Sequence, residues 1–255
     1  MKTIFYFTLL FLFPFLAFSQ EAIPSDAKQL INAYKDVIAG YSNNNIIFKD
    51  KSKMIWDDGI KNKSDRLLLD KPDLKDMFSQ KYRTGILKTP PSKNYDPGRI
   101  RNEPFFQKIY GSTETEVRKN LTEITWCPRL VGQKISVTKI NGIDKKLKQI
   151  SAELDKHPEL KKYLSKIGGT FSWRYISGTK RHSMHSYGMT IDINTDYSDY
   201  WQWACKCKNE DAEIKYQNRI PQVIIDAFEK YGFIWGGKWY HFDTMHFEYR
   251  PELLP

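Results

Sequence analysis

The chain of 255 residues contains only three cysteines, Cys127, Cys205 and Cys207. Three thiols are too few for a disulfide framework, although one bridge could form in an oxidising compartment and would leave one thiol over. The Cys205-Lys-Cys207 pair also lacks nearby partners for a structural zinc site. Packing or a single disulfide is therefore the better interpretation of these cysteines.

After its first nineteen residues the sequence has no stretch apolar enough to cross a membrane. Residues 1–19 have the three parts of a secretory signal: Lys2, an apolar run from Ile4 to Phe18, and small residues at the expected cleavage positions. The run is shorter than the ~20 residues that a spanning helix needs, and no cysteine follows it that could carry a lipid. We expect an exported protein, periplasmic or secreted, that begins at Gln20 and has no stable membrane anchor.

Charge of one sign is not concentrated in any segment. The sequence has 40 Lys and Arg residues against 30 Asp and Glu residues, for a net charge of +10, and the basic residues are spread along the chain. This spread argues against a nucleic-acid partner, which would favour a basic stripe. The excess of positive charge favours residence near an anionic polymer such as a cell wall. The alternative is that it serves solubility alone.

Internal repeats and low-complexity tracts are absent from the sequence as well. Residues 88–98 contain three prolines and little apolar content, so we expect a loop or domain boundary there. Before it, residues 20–100 form a mostly helical N-terminal extension, with a helix from Ser25 toward a cap at Gly40 and a short β-like stretch. Residues 101–255 form the second domain.

In the last third of the chain, aromatic and β-branched residues predict strands at residues 170–176, 188–194 and 245–249, with a helix that begins at Pro221. Alternation along residues 188–194 places Asp192 on the polar face of its strand. The elements predict an α+β fold with a mainly antiparallel sheet and helices packed on it.

Two short segments carry the chemistry: His185-Ser-Tyr-Gly-Met-Thr-Ile-Asp192 and Asp243-Thr-Met-His246. Two histidines and one carboxylate bind a catalytic zinc and leave a fourth position open for water, which the metal makes more acidic. The second carboxylate is then a candidate proton carrier. The alternative is a pair of hydrogen-bonded histidines with a salt-bridged aspartate.

These segments resemble the D-alanyl-D-alanine carboxypeptidase family of zinc peptidases, which share a fold with the hedgehog amino-terminal domain. The family pattern is Ser-x-His, two residues, Gly, three residues, Asp, followed later by a carboxylate three residues before a histidine. All of its positions are matched, by Ser183, His185, Gly188, Asp192, Asp243 and His246.

Further residues extend this resemblance to roughly Gly132 to Pro251. The segments Trp235-Gly-Gly-Lys-Trp239 and His246-Phe-Glu248 look like the branch that includes the L-alanyl-D-glutamate endopeptidases. The resemblance implies the hedgehog/DD-peptidase fold for residues 101–255. The extension has no counterpart in the minimal enzymes, and its role stays open.

The resemblance also implies a role for each matching residue. His185, Asp192 and His246 would bind one zinc ion per chain, and Asp243 would be the general acid and base. Glu248 competes with Asp243, because it shares a strand face with His246.

Three other residues could complete the site. Arg174 resembles the family arginine that contacts the scissile carbonyl, although Arg181 is close in sequence and could take that role. Ser183 could orient the substrate or a ligand, but a turn-forming serine would look the same.

The sequence therefore predicts an exported zinc metallopeptidase that hydrolyses a peptide bond in peptidoglycan stem peptides. These peptides are the expected partners of the protein. Carboxypeptidase action on D-alanyl-D-alanine and endopeptidase action at L-alanyl-D-glutamate both remain open, as does the oligomeric state. The alternative function is a non-catalytic protein that binds the cell wall or another ligand and retains the zinc-peptidase fold.

Overall fold

The structure, a computed structural model, describes residues 22–255, so the predicted signal segment lies outside the described residues. It confirms the α+β class, with helices packed on small antiparallel sheets. The α-helices are α1 (Ser25–Ala33), α2 (Asp65–Asp70), α3 (Glu103–Tyr110), α4 (Glu114–Lys119), α5 (Ile143–Leu154), α6 (Lys161–Leu164), α7 (Trp201–Cys205) and α8 (Gln222–Lys230). The strands are β1 (Ile38–Ser42), β2 (Asn45–Phe48), β3 (Lys53–Ile55), β4 (Leu121–Trp126), β5 (Gln133–Thr138), β6 (Thr190–Asp192), β7 (Phe233–Trp235) and β8 (His246–Tyr249).

The N-terminal extension contains an antiparallel sheet, in the order β1-β2-β3, in addition to α1 and α2. Helix α1 ends at Ala33 instead of running to Gly40, and residues 38–42 form β1. The reason is a two-residue turn, Asn43-Asn44, in which both residues have positive φ (49° and 56°). Such turns match the twist of a β-hairpin, so helices fill less of the extension than the sequence predicted.

In residues 101–255 the sheets are β4-β5 and β6-β8-β7, and all their pairings are antiparallel. Helix α5 packs on β4, β5 and α8, and α8 packs on β7. The predicted strand at residues 170–176 is wrong, because this segment makes only one isolated bridge, between Tyr175 and His182. In place of hydrogen bonds to a neighbouring strand, the backbone of this segment is bound by the side chain of Ser186, at Ser172 and Arg174.

One hydrophobic core crosses the predicted boundary near residue 100. Phe105 packs edge-on against Tyr34, the residue that follows α1, with ring centroids 5.2 Å apart, and Phe106 lies 6.3 Å from Tyr187. All four rings are at most 1% exposed, and burying an aromatic side chain contributes ~1.5–3 kcal/mol. The extension is therefore packed firmly against the region that carries the motifs.

The structure also bears on two expectations from the sequence, one about the cysteines and one about membrane-spanning segments. A disulfide joins Cys205 to Cys207, and Cys127 is a buried free thiol. Within residues 22–255 no helix is both long and apolar enough to cross a membrane.

Candidate active site

Strand pairing brings the predicted metal ligands together. Asp192 at the end of β6 lies directly opposite His246 at the start of β8, and Asp192 Oδ1 is 3.0 Å from His246 Nδ1. His185 lies in a 3-10 helix, Met184–Tyr187, just before β6, and its Nε2 is 3.1 Å from Asp192 Oδ2. Potential ligand atoms of the three residues all lie within 4.8 Å of one another.

Gly188 makes the sharp return from this 3-10 helix into β6. Its φ is +65°, and a Cβ there would lie 2.7 Å from Leu121 Cδ2 and 3.3 Å from the backbone nitrogen of Thr138. Only glycine combines this left-handed conformation with so close an approach. The motif glycine therefore fixes the spacing between His185 and Asp192.

Each of the two imidazoles has one nitrogen bound by an oxygen outside the cluster. His185 Nδ1 is 3.0 Å from the carbonyl oxygen of Thr170, and His246 Nε2 is 3.1 Å from Glu248 Oε2. The other nitrogen of each ring faces Asp192. Histidines that bind metals commonly donate their second N–H to a carbonyl or carboxylate in this way, so the donor set fits a metal ion.

The electrostatics of the cluster favour positive charge. Burial alone would raise the pKa of Asp192, but the neighbouring His185 and His246 hold it well below its usual range. Burial alone would lower the pKa of His246, yet its hydrogen bonds to Asp192 and Glu248 raise it to about 10. A buried carboxylate between two imidazoles is an environment that suits a divalent cation.

Glu248 is fully buried and bound on both oxygens. Arg101 donates to Oε1 at 3.0 Å and to Oε2 at 2.6 Å, and Arg250 donates to Oε1 at 3.0 Å. Burial would raise the pKa of Glu248, but Arg101 holds it well below its usual range, together with His246 and Arg250. A carboxylate this firmly ionised is poorly suited to accept a proton, so the geometry argues against Glu248 as the base and for a role in orienting His246.

Asp243 lies beside the cluster on the loop before β8. Its backbone N–H donates to Gly236 at 3.0 Å, and its carbonyl accepts from the N–H of His246 at 3.2 Å. Glycine is required at 236 for this approach, because a Cβ there would lie 2.6 Å from the Asp243 carbonyl oxygen. The loop therefore sets the distance between Asp243 and His246.

The side chain of Asp243 has an unusual environment. Its Oδ1 is buried and has no hydrogen-bond partner among residues 22–255. Burial, reinforced by the negative charge of Asp192, raises the pKa of Asp243 to about 6. A carboxyl group that titrates close to neutrality is well matched to accepting and returning a proton.

Arg174 is exposed on the irregular segment at 170–176, and its guanidinium makes no ion pair within the described chain. Its carbonyl accepts hydrogen bonds from the N–H of Ser183 and from Ser186 Oγ, both at 3.0 Å. Its backbone is thus fixed to the loop that carries His185. Ser183 is buried and precedes the 3-10 helix of His185, a structural position that turn-forming serines often occupy.

The structure adds partners that sequence reasoning missed. Arg101, which belongs to neither motif, reaches Glu248 from 147 positions away in the sequence, and no local pattern signals such a contact. Arg181 forms an ion pair with the extension, with its Nε 3.5 Å from Asp70 Oδ1. For the contact between Glu248 and His246 the sequence did contain a local signal, since alternation along the strand places both residues on one face.

In a comparison with known families, residues 177–249 match the D-alanyl-D-alanine carboxypeptidase family. The matched region includes His185, Asp192, Asp243 and His246, and it excludes Arg174 and Arg101. No curated protein and no solved structure matches the chain. The family match confirms the resemblance predicted from the motifs, and it supports a peptidase that acts, at the level of the family, on cell-wall peptides.

Proposed function

From this match to the D-alanyl-D-alanine carboxypeptidase family, we propose that the protein is an exported zinc peptidase that hydrolyses peptide bonds in peptidoglycan stem peptides. The observation that carries the proposal is the convergence of His185, Asp192 and His246, with the unpaired carboxylate of Asp243 beside them. A structural metal site has no need of a fourth residue, here a second carboxylate, that titrates near neutrality.

His185 Nε2, His246 Nδ1 and Asp192 would hold one zinc ion per chain. When bound in such a site, zinc lowers the pKa of water and polarises a carbonyl group. The protein supplies the rest of the chemistry. Thr170 and Glu248 fix the two imidazole rings from outside, so that the ligand nitrogens converge on Asp192.

Asp243 would accept the proton of the attacking water and return it to the leaving amine. Its burial raises its pKa to about 6, which makes both steps accessible near neutral pH. Ser183, which directly precedes the 3-10 helix of His185, would orient the substrate or a ligand. Arg174 would stabilise the negative charge that develops on the carbonyl oxygen, since an exposed guanidinium on an anchored backbone can swing toward a bound peptide.

The two arginine candidates can be separated by substitution. Loss of a donor aimed at the developing charge typically costs ~3 kcal/mol, or about a hundredfold in rate. Arg174→Ala should therefore slow turnover with zinc still bound. If Arg181→Ala slows turnover and Arg174→Ala does not, the oxyanion role belongs to Arg181.

The decisive experiment is incubation of the mature protein, with and without zinc, with purified peptidoglycan stem peptides, read by mass spectrometry. Loss of a terminal D-alanine identifies a carboxypeptidase, and cleavage between L-alanine and D-glutamate identifies an endopeptidase. Binding without any new fragment would contradict the proposal and favour the non-catalytic alternative. Export is tested by N-terminal sequencing of the secreted protein, which should begin at Gln20.

A further inference from the structure

The side chain of Tyr200 lies directly beside that of Asp243. Tyr200 immediately precedes α7, and its backbone forms an isolated antiparallel bridge with Asp243. The bridge is closed by two hydrogen bonds between flanking residues, both 2.9 Å long, from the N–H of Trp201 to the carbonyl of Phe242 and from the N–H of Thr244 to the carbonyl of Asp199. Tyr200 and Asp243 are therefore a non-hydrogen-bonded pair. In such a pair the two side chains project from the same face, with their Cβ atoms only ~5 Å apart.

Neighbouring aromatic rings hold the ring of Tyr200 in place. Trp201 and Trp203 both pack edge-on against it, with ring centroids 6.0 Å and 5.5 Å away. Tyr200 is half-buried and Trp203 is 55% exposed, so part of the Tyr200 side chain remains accessible. A tyrosine side chain is longer than an aspartate side chain by most of an aromatic ring. The hydroxyl of Tyr200 can therefore reach past the carboxyl group of Asp243 to a bound ligand.

This hydroxyl is a hydrogen-bond donor without an acceptor. Within residues 22–255 it donates to no backbone or side-chain atom, and the indole of Trp201 approaches it as a donor, which engages its oxygen and leaves its hydrogen free. Burial raises the pKa of Tyr200, and the negative charge of Asp243 raises it further. The phenol is therefore protonated at neutral pH and keeps a free O–H next to the candidate general base.

We propose that Tyr200 is a further catalytic residue, which donates a hydrogen bond to the carbonyl oxygen of the peptide group that is cut. Asp243 must lie within hydrogen-bond distance of the attacking water and the leaving amine. The reacting peptide group is therefore beside this carboxyl, within reach of the longer neighbouring side chain. A donor that is already in place stabilises the negative charge that develops on the carbonyl oxygen, whereas the exposed Arg174 has to move to do so. The proposal rests on the proposed peptidase function and deepens it.

Tyr200→Phe tests the proposal, because it removes the hydroxyl and keeps the ring. In the full mature zinc-loaded protein, kcat for stem-peptide hydrolysis should fall at least about tenfold, since one donor aimed at developing charge is typically worth ~100-fold. KM should change little, because the hydrogen bond strengthens only in the transition state. Zinc content and thermal unfolding should match those of the parent. Tyr197→Phe, the same change at an exposed tyrosine that packs on Tyr163, is the control and should keep the parent kcat.

A phosphinate inhibitor gives a second readout that does not depend on turnover. It replaces the peptide group that the parent cuts with a tetrahedral, negatively charged group that resembles the transition state. Tyr200→Phe should weaken its binding, measured by calorimetry, by about the same factor as kcat/KM, and Tyr197→Phe should not. A parent-like kcat in Tyr200→Phe, with or without a higher KM, would overturn the catalytic role and leave the proposed peptidase function intact. A parent that cuts no stem peptide would contradict the proposed function, and the role of Tyr200 with it.

Discussion

The extension holds a cluster of carboxylates, Asp57, Asp58 and Asp73, whose oxygens lie as close together as the ligand atoms of the candidate metal site. In the extension, however, the ammonium group of Lys63 lies within the cluster, 2.7 Å from Asp58 and 3.2 Å from Asp73. Its side chain is 2% exposed and also pairs with Asp76. This cluster therefore already contains its counter-charge.

The cluster at β6 and β8 is built from different groups. Two of its three members are imidazoles, and each is oriented from outside by an oxygen of Thr170 or Glu248. A neighbouring carboxylate, Asp243, has a buried oxygen with no partner within residues 22–255. Closeness of ligand atoms is therefore a weak criterion for a metal site. The partners that orient the imidazoles and the unpaired oxygen of Asp243 discriminate between the two clusters.

The largest expected effect separates the two clusters directly. His246→Ala removes one of three zinc ligands, so zinc content should fall from about one ion per chain to nearly none. Asp73→Asn is the matched change in the extension, and it should leave zinc content unchanged. Metal analysis of both proteins after dialysis is the measurement. If Asp73→Asn loses zinc and His246→Ala does not, the metal belongs to the cluster in the extension and our assignment is wrong.

Substitution of Asp243 should have the next largest effect. Asp243→Asn keeps the size of the side chain but cannot carry a proton, so hydrolysis should slow by at least ~100-fold. Zinc content and thermal unfolding should stay close to those of the parent. Asp199→Asn is the matched control, since it makes the same change at an aspartate that is ion-paired with Arg219, and it should retain activity. If Asp243→Asn loses its zinc, Asp243 is a ligand.

The same residue predicts a pH dependence. A general base is active when deprotonated, and burial raises the pKa of Asp243 to about 6. The rate of the parent should therefore rise as the pH increases through about 6, and the residual rate of Asp243→Asn should lack this step. A rate that falls over this range would contradict the assignment.

The candidate ligands were predictable because each half of the motif is local. Residues 185–192 and 243–246 carry their geometry within a strand and its adjoining loop, and strand pairing needs only to bring the two halves together. Helix α4 also begins on a local signal, since Thr113 Oγ1 accepts a hydrogen bond from the N–H of Glu116, three residues further on.

Other features depend on contacts between distant segments. The Arg101–Glu248 pair and the Arg181–Asp70 pair each join distant segments, and nothing in the neighbouring sequence signals them. The predicted strand at 170–176 failed because β-propensity reflects packing on a sheet. Tyr175 in that segment is 57% exposed and has no sheet neighbour there beyond one bridge to His182.

A smaller effect is expected from removal of the counter-charge in the extension. Lys63→Met leaves the buried carboxylate of Asp73 without its ion-pair partner and should lower the free energy of unfolding by about 3 kcal/mol. Zinc content should not change. Urea denaturation measures the loss, with Lys61→Met, an exposed lysine nearby, as the control. Uptake of a second zinc by Lys63→Met would show that the lysine masks a metal site and that the two clusters differ less than we infer.

The smallest effect should come from Glu248, which acts on the metal only through His246. Glu248→Gln keeps an oxygen that can accept from His246 Nε2 but removes the negative charge bound by Arg101 and Arg250. Loss of a partner that orients a metal-binding histidine typically lowers metal affinity ~10–100-fold, and competition with a chelator should show a change in this range.

Thermal unfolding and a matched control distinguish this positioning role from general destabilisation. Glu123→Gln changes an exposed carboxylate on β4, whose side chain is 63% exposed, and should leave zinc affinity unchanged. Arg101→Gln leaves Glu248 with Arg250 as its remaining cation, so it should weaken zinc binding less than Glu248→Gln does. If Glu248→Gln lowers stability while zinc affinity stays at the parent value, the charge of Glu248 serves the core and not the metal. In that case the orienting partner no longer distinguishes the β6–β8 cluster from the one in the extension, and the unpaired oxygen of Asp243 carries the difference alone.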